Sequence, residues 1–132
     1  ARPAVHDAYQ LCVRSCKREL NGVKIDNEER LRQIVDLRKQ KPELKVLLSI
    51  GGWGSGRFSE MAANDEYRRA FAADCDRVVK EFALDGIDID WEYPTSSMAN
   101  ISSSPDDTEN FTLLMQDIRA AIGNEKELTL AP

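Results

Sequence analysis

Asp85-Gly86-Ile87-Asp88-Ile89-Asp90-Trp91-Glu92-Tyr93-Pro94 is the stretch that decides the fold. Three acids alternate with three large apolar residues, between a glycine and a Tyr-Pro pair that ends the run. Successive side chains on a β-strand point to opposite faces. A strand over residues 86–92 therefore sends Asp88, Asp90 and Glu92 to one side and Ile87, Ile89 and Trp91 to the other. The apolar side needs a hydrophobic layer. The acidic side gathers three carboxylates close enough to couple, which packing alone does not require and acid–base chemistry does.

Upstream, Val46-Leu47-Leu48-Ser49-Ile50 is a compact apolar run, and residues 45–51 read as a second buried strand. Gly51-Gly52-Trp53-Gly54-Ser55-Gly56 follows as a loop of unusual backbone freedom. Before it, Asp26 with Glu29 resembles a capping box, and Leu31, Ile34, Val35 and Leu37 recur at helical spacing until Pro42 stops the helix. After the loop, the pattern predicts a short helix over 58–63. A longer helix follows an Asn64 cap, with Phe71, Cys75, Val78, Val79 and Phe82 as its buried stripe. Residues 95–104 form a small polar loop with no packing signal. Ser104 caps the next helix, Pro105 suits its first turn and Asp107 supports the cap. Phe111, Leu114, Ile118 and Ile122 line that helix's buried face, and Gly123 ends it. Residues 128–131 read as a last strand, and residues 4–20 as a helix of poor pattern. The alternation predicts an α/β fold of parallel strands with crossover helices. A free edge on the last strand is an aggregation hazard, so the expectation is a piece of a larger domain.

Bulk properties narrow the function. Hydrophobic residues at 42% and charged residues at 31% are ordinary for a globular chain of 132 residues. A net charge of -5 argues against a nucleic acid partner, and no basic aromatic patch offsets it. No apolar run approaches membrane-spanning length. Residues 1–22 are polar and charged, unlike a signal peptide. Cys12 and Cys16 could share a helical face near His6, but four good metal ligands are not present, so no metal is expected there. The odd cysteine count leaves the redox compartment open.

In a parallel sheet both faces are normally covered and apolar. Three acids on one face break that rule, and crowded like charges favour keeping a proton among them. A carboxylic acid that holds its proton near neutral pH is what general-acid catalysis requires. Glu92 is last in the row, nearest the carboxyl end of the strand, where α/β sites open. Asp90 and Asp88 lie progressively deeper. If Val46, Leu48 and Ile50 face the helices, Ser49 shares the acids' side and is expected to hydrogen-bond Asp88. Gly51 and Gly52 leave room for a ligand at the backbone, and Trp53 stands at the rim, where an indole can stack on a sugar ring. Other readings stay open on these residues. The acids could line a half-exposed antiparallel strand or hold Mg²⁺ or Ca²⁺. Gly51-Gly52-Trp53 could be a plain turn with a core tryptophan.

The residues from Asp85 to Pro94 resemble the signature of glycoside hydrolase family 18, the chitinases, and Ser49-Ile50-Gly51-Gly52-Trp53 resembles that family's second signature on the preceding strand. The resemblance implies a (β/α)8 TIM barrel, with these strands among its third to fifth. It implies retaining, substrate-assisted hydrolysis of β-1,4-linked N-acetylglucosamine, with chitin or its oligosaccharides as partner, no cofactor, and secretion. Carried over, Glu92 is the acid/base, Asp90 holds the acetamido group and Asp88 tunes Asp90. Gly51, Gly52, Trp53, Gly54 and Tyr93 line sugar subsites, with Ser49 and Asp85 in support. A barrel of this type takes about 250 residues, so residues 23–132 would be part of a catalytic domain. Residues 1–22 do not look like the family's apolar second strand. Two alternatives within the resemblance are an endo-β-N-acetylglucosaminidase acting on N-glycans and a lectin-like chitin-binding protein. Lectin-like relatives usually lack the terminal acid, and Glu92 is present.

Overall fold

The computed structural model describes the backbone of residues 10–15, 17–19 and 22–130, and side chains from 22 to 130. Four strands form one parallel sheet in the order β1 (Gln10–Ser15), β4 (Lys45–Gly51), β5 (Gly86–Asp90) and β6 (Glu127–Leu130). Two short strands, β2 (Lys17–Glu19) and β3 (Gly22–Lys24), pair antiparallel beside it. Helix α1 (Glu28–Asp36) leads into β4. Helices α2 (Phe58–Ala62) and α3 (Asp65–Glu81) cross from β4 to β5, and α4 (Asp107–Ile122) crosses from β5 to β6.

The alternation within each strand sets the layers. Val46, Leu48, Ile50, Ile87, Ile89 and Trp91 join one buried cluster with Phe71, Cys75 and Val78 of α3 and Leu114, Ile118 and Ile122 of α4. Leu47 is fully buried yet lies outside that cluster, because it faces the other side of the sheet. Trp91 anchors the upper end of the helix-side layer. Its ring stacks on Phe58 at 5.4 Å and meets Phe111 edge-on at 5.2 Å. Such pairs contribute about 0.5–1.5 kcal/mol each beyond burial. Its indole N–H is buried and finds no acceptor among the described residues.

Polar ties fix the periphery. Asp74 of α3 accepts the Val23 N–H at 2.6 Å and the Arg77 guanidinium at 2.5 Å, joining β3 to the helix layer. Burial pushes the Asp74 carboxyl up, but Arg77 and the Val23 N–H outweigh it and hold the group below the usual carboxylate range. Burial, with Asp74 and Asp76 nearby, pushes the Cys75 thiol well above its ordinary value.

Several sequence expectations are corrected. Residues 10–15 and 17–19 are strands, not part of a helix over 4–20; six ladder positions against β4 override a weak local pattern. His6 and Cys16 lie outside the described residues, as does Ala131. The cap of α1 is Asn27, whose Oδ1 accepts the Arg30 N–H at 3.0 Å, rather than Asp26. Leu37 is exposed at the start of a short 3-10 turn. The 95–104 loop does pack: Ile101 is buried in the core. The acidic strand ends at Asp90, the last residue paired with β4, so Trp91 and Glu92 sit just beyond the ladder.

Candidate active site

The parallel register builds the site from three strands. Ser49 of β4 pairs with Asp88 of β5, Asp88 with Thr129 of β6, and Gly51 with Asp90. Ser49, Asp88 and Thr129 therefore form a row across the sheet, on the face opposite the helix-side core. The Ser49 hydroxyl donates to Asp88 Oδ2 at 2.7 Å, as expected from the sequence. The Thr129 hydroxyl donates to Asp88 Oδ1 at 2.6 Å. Both carboxylate oxygens are thus held from the flanking strands.

Asp90 lies one step higher on the same face, about 7 Å along the strand from Asp88 at two residues' rise, and is only 4% exposed. Its carbonyl accepts the Gly52 N–H at 2.8 Å. The sheet itself requires glycine at position 51. A Cβ at Gly51 would sit 2.1 Å from the Asp90 carbonyl oxygen, and Gly51 has φ +121°. The missing side chain makes way for the neighbouring strand. Gly54 is the open position: nothing lies within 4 Å of a Cβ built there.

Glu92 follows in the bend after β5, half-buried, and the Glu92–Tyr93 peptide is cis. Tyr93 and Trp53 stand together at the mouth. Their rings meet edge-on at 6.3 Å with 72° between planes, and Trp53 is 61% exposed, which rules out the core-tryptophan reading. The half-exposed antiparallel reading of the acids also fails, because β5 is parallel to both neighbours and Asp90 is buried. Among the described residues no three His, Cys, Asp or Glu side chains converge as metal ligands would.

Asp85 does not join the row. It lies at the amino end of β5, about 16 Å along the strand from Asp90 at five residues' rise. There its carboxylate accepts the Val46 N–H at 2.7 Å and pairs with Arg38 at 3.2 Å, so it fastens strand to strand at the opposite end of the sheet. The sequence reading missed Thr129. Its alternation with Leu128 and Leu130 was the available signal, but only the register turns that alternation into a partner for Asp88. A groove of about 670 Å³ lined by Phe111, Met115, Arg119 and Leu130 contains none of the acid-row residues.

One sheet face thus carries a part-buried aspartate clamped by two hydroxyls and a buried aspartate above it, with Glu92 in the bend just past the strand and two aromatic rings at the rim. Known proteins share stretches of this sequence and this fold. Chitinase A1 of Niallia circulans is 40% identical over 91 residues, 67% of this chain and 13% of its own length. The chitinase domain of the spore coat protein CotE from Clostridium difficile superposes with a TM-score of 0.84 at 37% identity, over 94% of this chain and 41% of that one. A glycoside hydrolase family 18 N-acetylglucosaminidase from Paenibacillus barengoltzii gives 0.86 at 34% identity, over 98% and 42%. The chain spans less than half the length of each of these relatives, and its parallel strands and crossover helices are an arc of the TIM-barrel fold. The profile of the glycosyl hydrolases family 18 matches residues 6–132. The chain belongs to the glycosyl hydrolases family 18.

Proposed function

We propose that these residues form the acid–base centre of a chitinase that hydrolyses β-1,4-N-acetylglucosamine linkages with retention. One observation carries the reading: Asp88 and Asp90 climb one face of a parallel strand toward its carboxyl end, where Glu92 follows in the next bend and Trp53 and Tyr93 form an aromatic mouth. Sites of parallel α/β folds open at that end. Glu92 donates its proton to the glycosidic oxygen as the bond to the anomeric carbon breaks. The substrate's acetamido oxygen attacks that carbon and forms an oxazolinium ion, in place of an enzyme nucleophile. Asp90 accepts a hydrogen bond from the acetamido N–H and faces the cation with its carboxylate. Asp88, fixed by Ser49 and Thr129, supports Asp90 from below. Glu92 then takes a proton from the incoming water, which opens the ring from the same face.

The partner is chitin or its oligosaccharides, and the protein is proposed to act outside the cell. A barrel active site is assembled from loops after all its strands, so turnover is assigned to the full-length protein rather than to this arc alone. Proton NMR of the first products from chitin oligosaccharides tests the reading. β-Anomers are expected, and initial α-anomers overturn retention. Cellulose oligomers, which lack the acetamido group, should be left intact, and their cleavage at a comparable rate contradicts substrate assistance. Release of glycans from glycoproteins in preference to cleavage of chitin oligomers would move the substrate to N-glycans. Tight oligomer binding without cleavage would make the protein a lectin.

A further inference from the structure

We infer that Asp107, at the first turn of α4, is a positioning residue for the acid row; this rests on the function proposed above. Asp107 is completely buried and outside the sheet. Its carboxylate gathers three donors from three segments. Oδ1 accepts the Ser59 hydroxyl of α2 at 2.7 Å. Oδ2 accepts the backbone N–H of Ser104 at 2.9 Å and that of Thr95, also at 2.9 Å. The Ser104 bond, returned by the Asp106 N–H to the Ser104 hydroxyl at 3.2 Å, makes a local helix cap. The other two bonds serve no cap. Thr95 is three residues past Glu92 and two past Tyr93, so this bond ties the exit of β5 to the start of α4. Thr95 has φ +66°, a conformation that a threonine does not hold unaided. Trp91 is clamped between Phe58 of α2 and Phe111 of α4. The segment bearing Glu92 and Tyr93 is therefore pinned on one side by the Trp91 ring and on the other by the Thr95 N–H. Only the second pin is a buried carboxylate, which accepts at both oxygens and makes charge-assisted bonds.

Asparagine can replace it in part. Its oxygen can face the two N–H groups while its amide nitrogen donates to the Ser59 oxygen, which can also accept. Neutral bonds are about half as strong, so Asp107→Asn keeps the fold with a looser latch, whereas Asp107→Ala removes it. The experiment uses the full-length protein, with two readouts: hydrogen exchange of residues 92–97 against residues 114–122, and kcat and KM on a fluorogenic chitobioside. In Asp107→Ala, exchange over 92–97 should rise at least tenfold with 114–122 unchanged, and kcat should fall more than 30-fold with KM within threefold. Asp107→Asn should lie between, at three- to tenfold lower kcat. The control Leu114→Ala loosens α4 but leaves the latch, and should keep kcat within threefold. Parent-like kcat in Asp107→Asn, exchange that rises equally over 114–122, or a kcat loss shared by Leu114→Ala overturns the inference. If Asp107→Ala does not fold, Asp107→Asn decides on the same criteria. If the parent does not cleave the chitobioside, the functional reading fails instead, and the exchange pattern still decides whether Asp107 holds the 92–97 turn.

Discussion

Replacing Gly51 with alanine should damage the site through the backbone of Asp90. The added Cβ would lie 2.1 Å from the Asp90 carbonyl oxygen and 2.8 Å from its carbonyl carbon. A carbon–oxygen contact relaxes only near 3.3 Å, so the two strand ends must separate by about 1.2 Å. That movement stretches the Gly52 N–H bond to Asp90, now 2.8 Å, out of hydrogen-bonding range. Losing it costs about 0.5–1.5 kcal/mol. Holding a non-glycine residue at φ +121° adds about 1–3 kcal/mol. Together the substitution should destabilise by about 1.5–4.5 kcal/mol, measured by urea unfolding of the full-length protein. Gly54→Ala is the internal control. It also has positive φ, but its Cβ meets nothing within 4 Å, so about 1 kcal/mol is expected from the dihedral alone. If Gly51→Ala proves no worse than Gly54→Ala, the close approach of Asp90 is not what requires glycine there.

Other consequences follow from the same contacts. Ser49→Ala and Thr129→Val each remove one hydroxyl from the Asp88 carboxylate, at about 1.5–3 kcal/mol per bond. Because both act on one group, the double variant's loss in kcat should differ from the sum of the singles, and strict additivity contradicts a shared clamp. Asp74 has its carboxyl held below its unfolded value. Its stabilisation is therefore complete above about pH 4, the ordinary aspartate range, and is lost as pH falls through the lower folded value. Urea midpoints should thus fall more steeply on acidification from pH 5 to 2.5 in the parent than in Asp74→Asn; equal slopes refute the assignment. Cys75 should resist iodoacetamide until the protein is unfolded, as read by peptide mass mapping, and labelling in the native state at the rate of a free thiol contradicts its burial.

Legibility from sequence followed the strength of local periodicity. The alternation in Ile87-Asp88-Ile89-Asp90-Trp91 and the apolar run of β4 put Asp88 on the same face as Ser49 and predicted the bond between them. The stripes of α3 and α4 were equally clear, since each repeats over three turns or more. What stayed hidden depends on partners distant in sequence. Gln10–Ser15 is a mixed polar segment that becomes a strand through its ladder with β4. Thr129 meets Asp88 only once the register is set, and register is a tertiary property. Asp107 reads locally as a cap residue, while its bonds to Ser59 and Thr95 reach 48 and 12 residues away. Asp85 stood within the most distinctive stretch of the chain, yet it serves the opposite end of the sheet. Gly51 was singled out as a residue that needs space, and the Asp90 backbone of the neighbouring strand is what crowds it.

The central claim is that Glu92 supplies the proton to the departing sugar. In the full-length protein, Glu92→Gln keeps the side chain's size and removes its acid function. Turnover of a fluorogenic chitobioside by the parent and this variant, with calorimetry of chitin-oligomer binding to each, tests the claim most directly. The account predicts that the variant loses nearly all kcat, at least the 10²-fold expected for a general acid, while its affinity for the oligomer stays within a few-fold of the parent. Unchanged turnover in Glu92→Gln would contradict it.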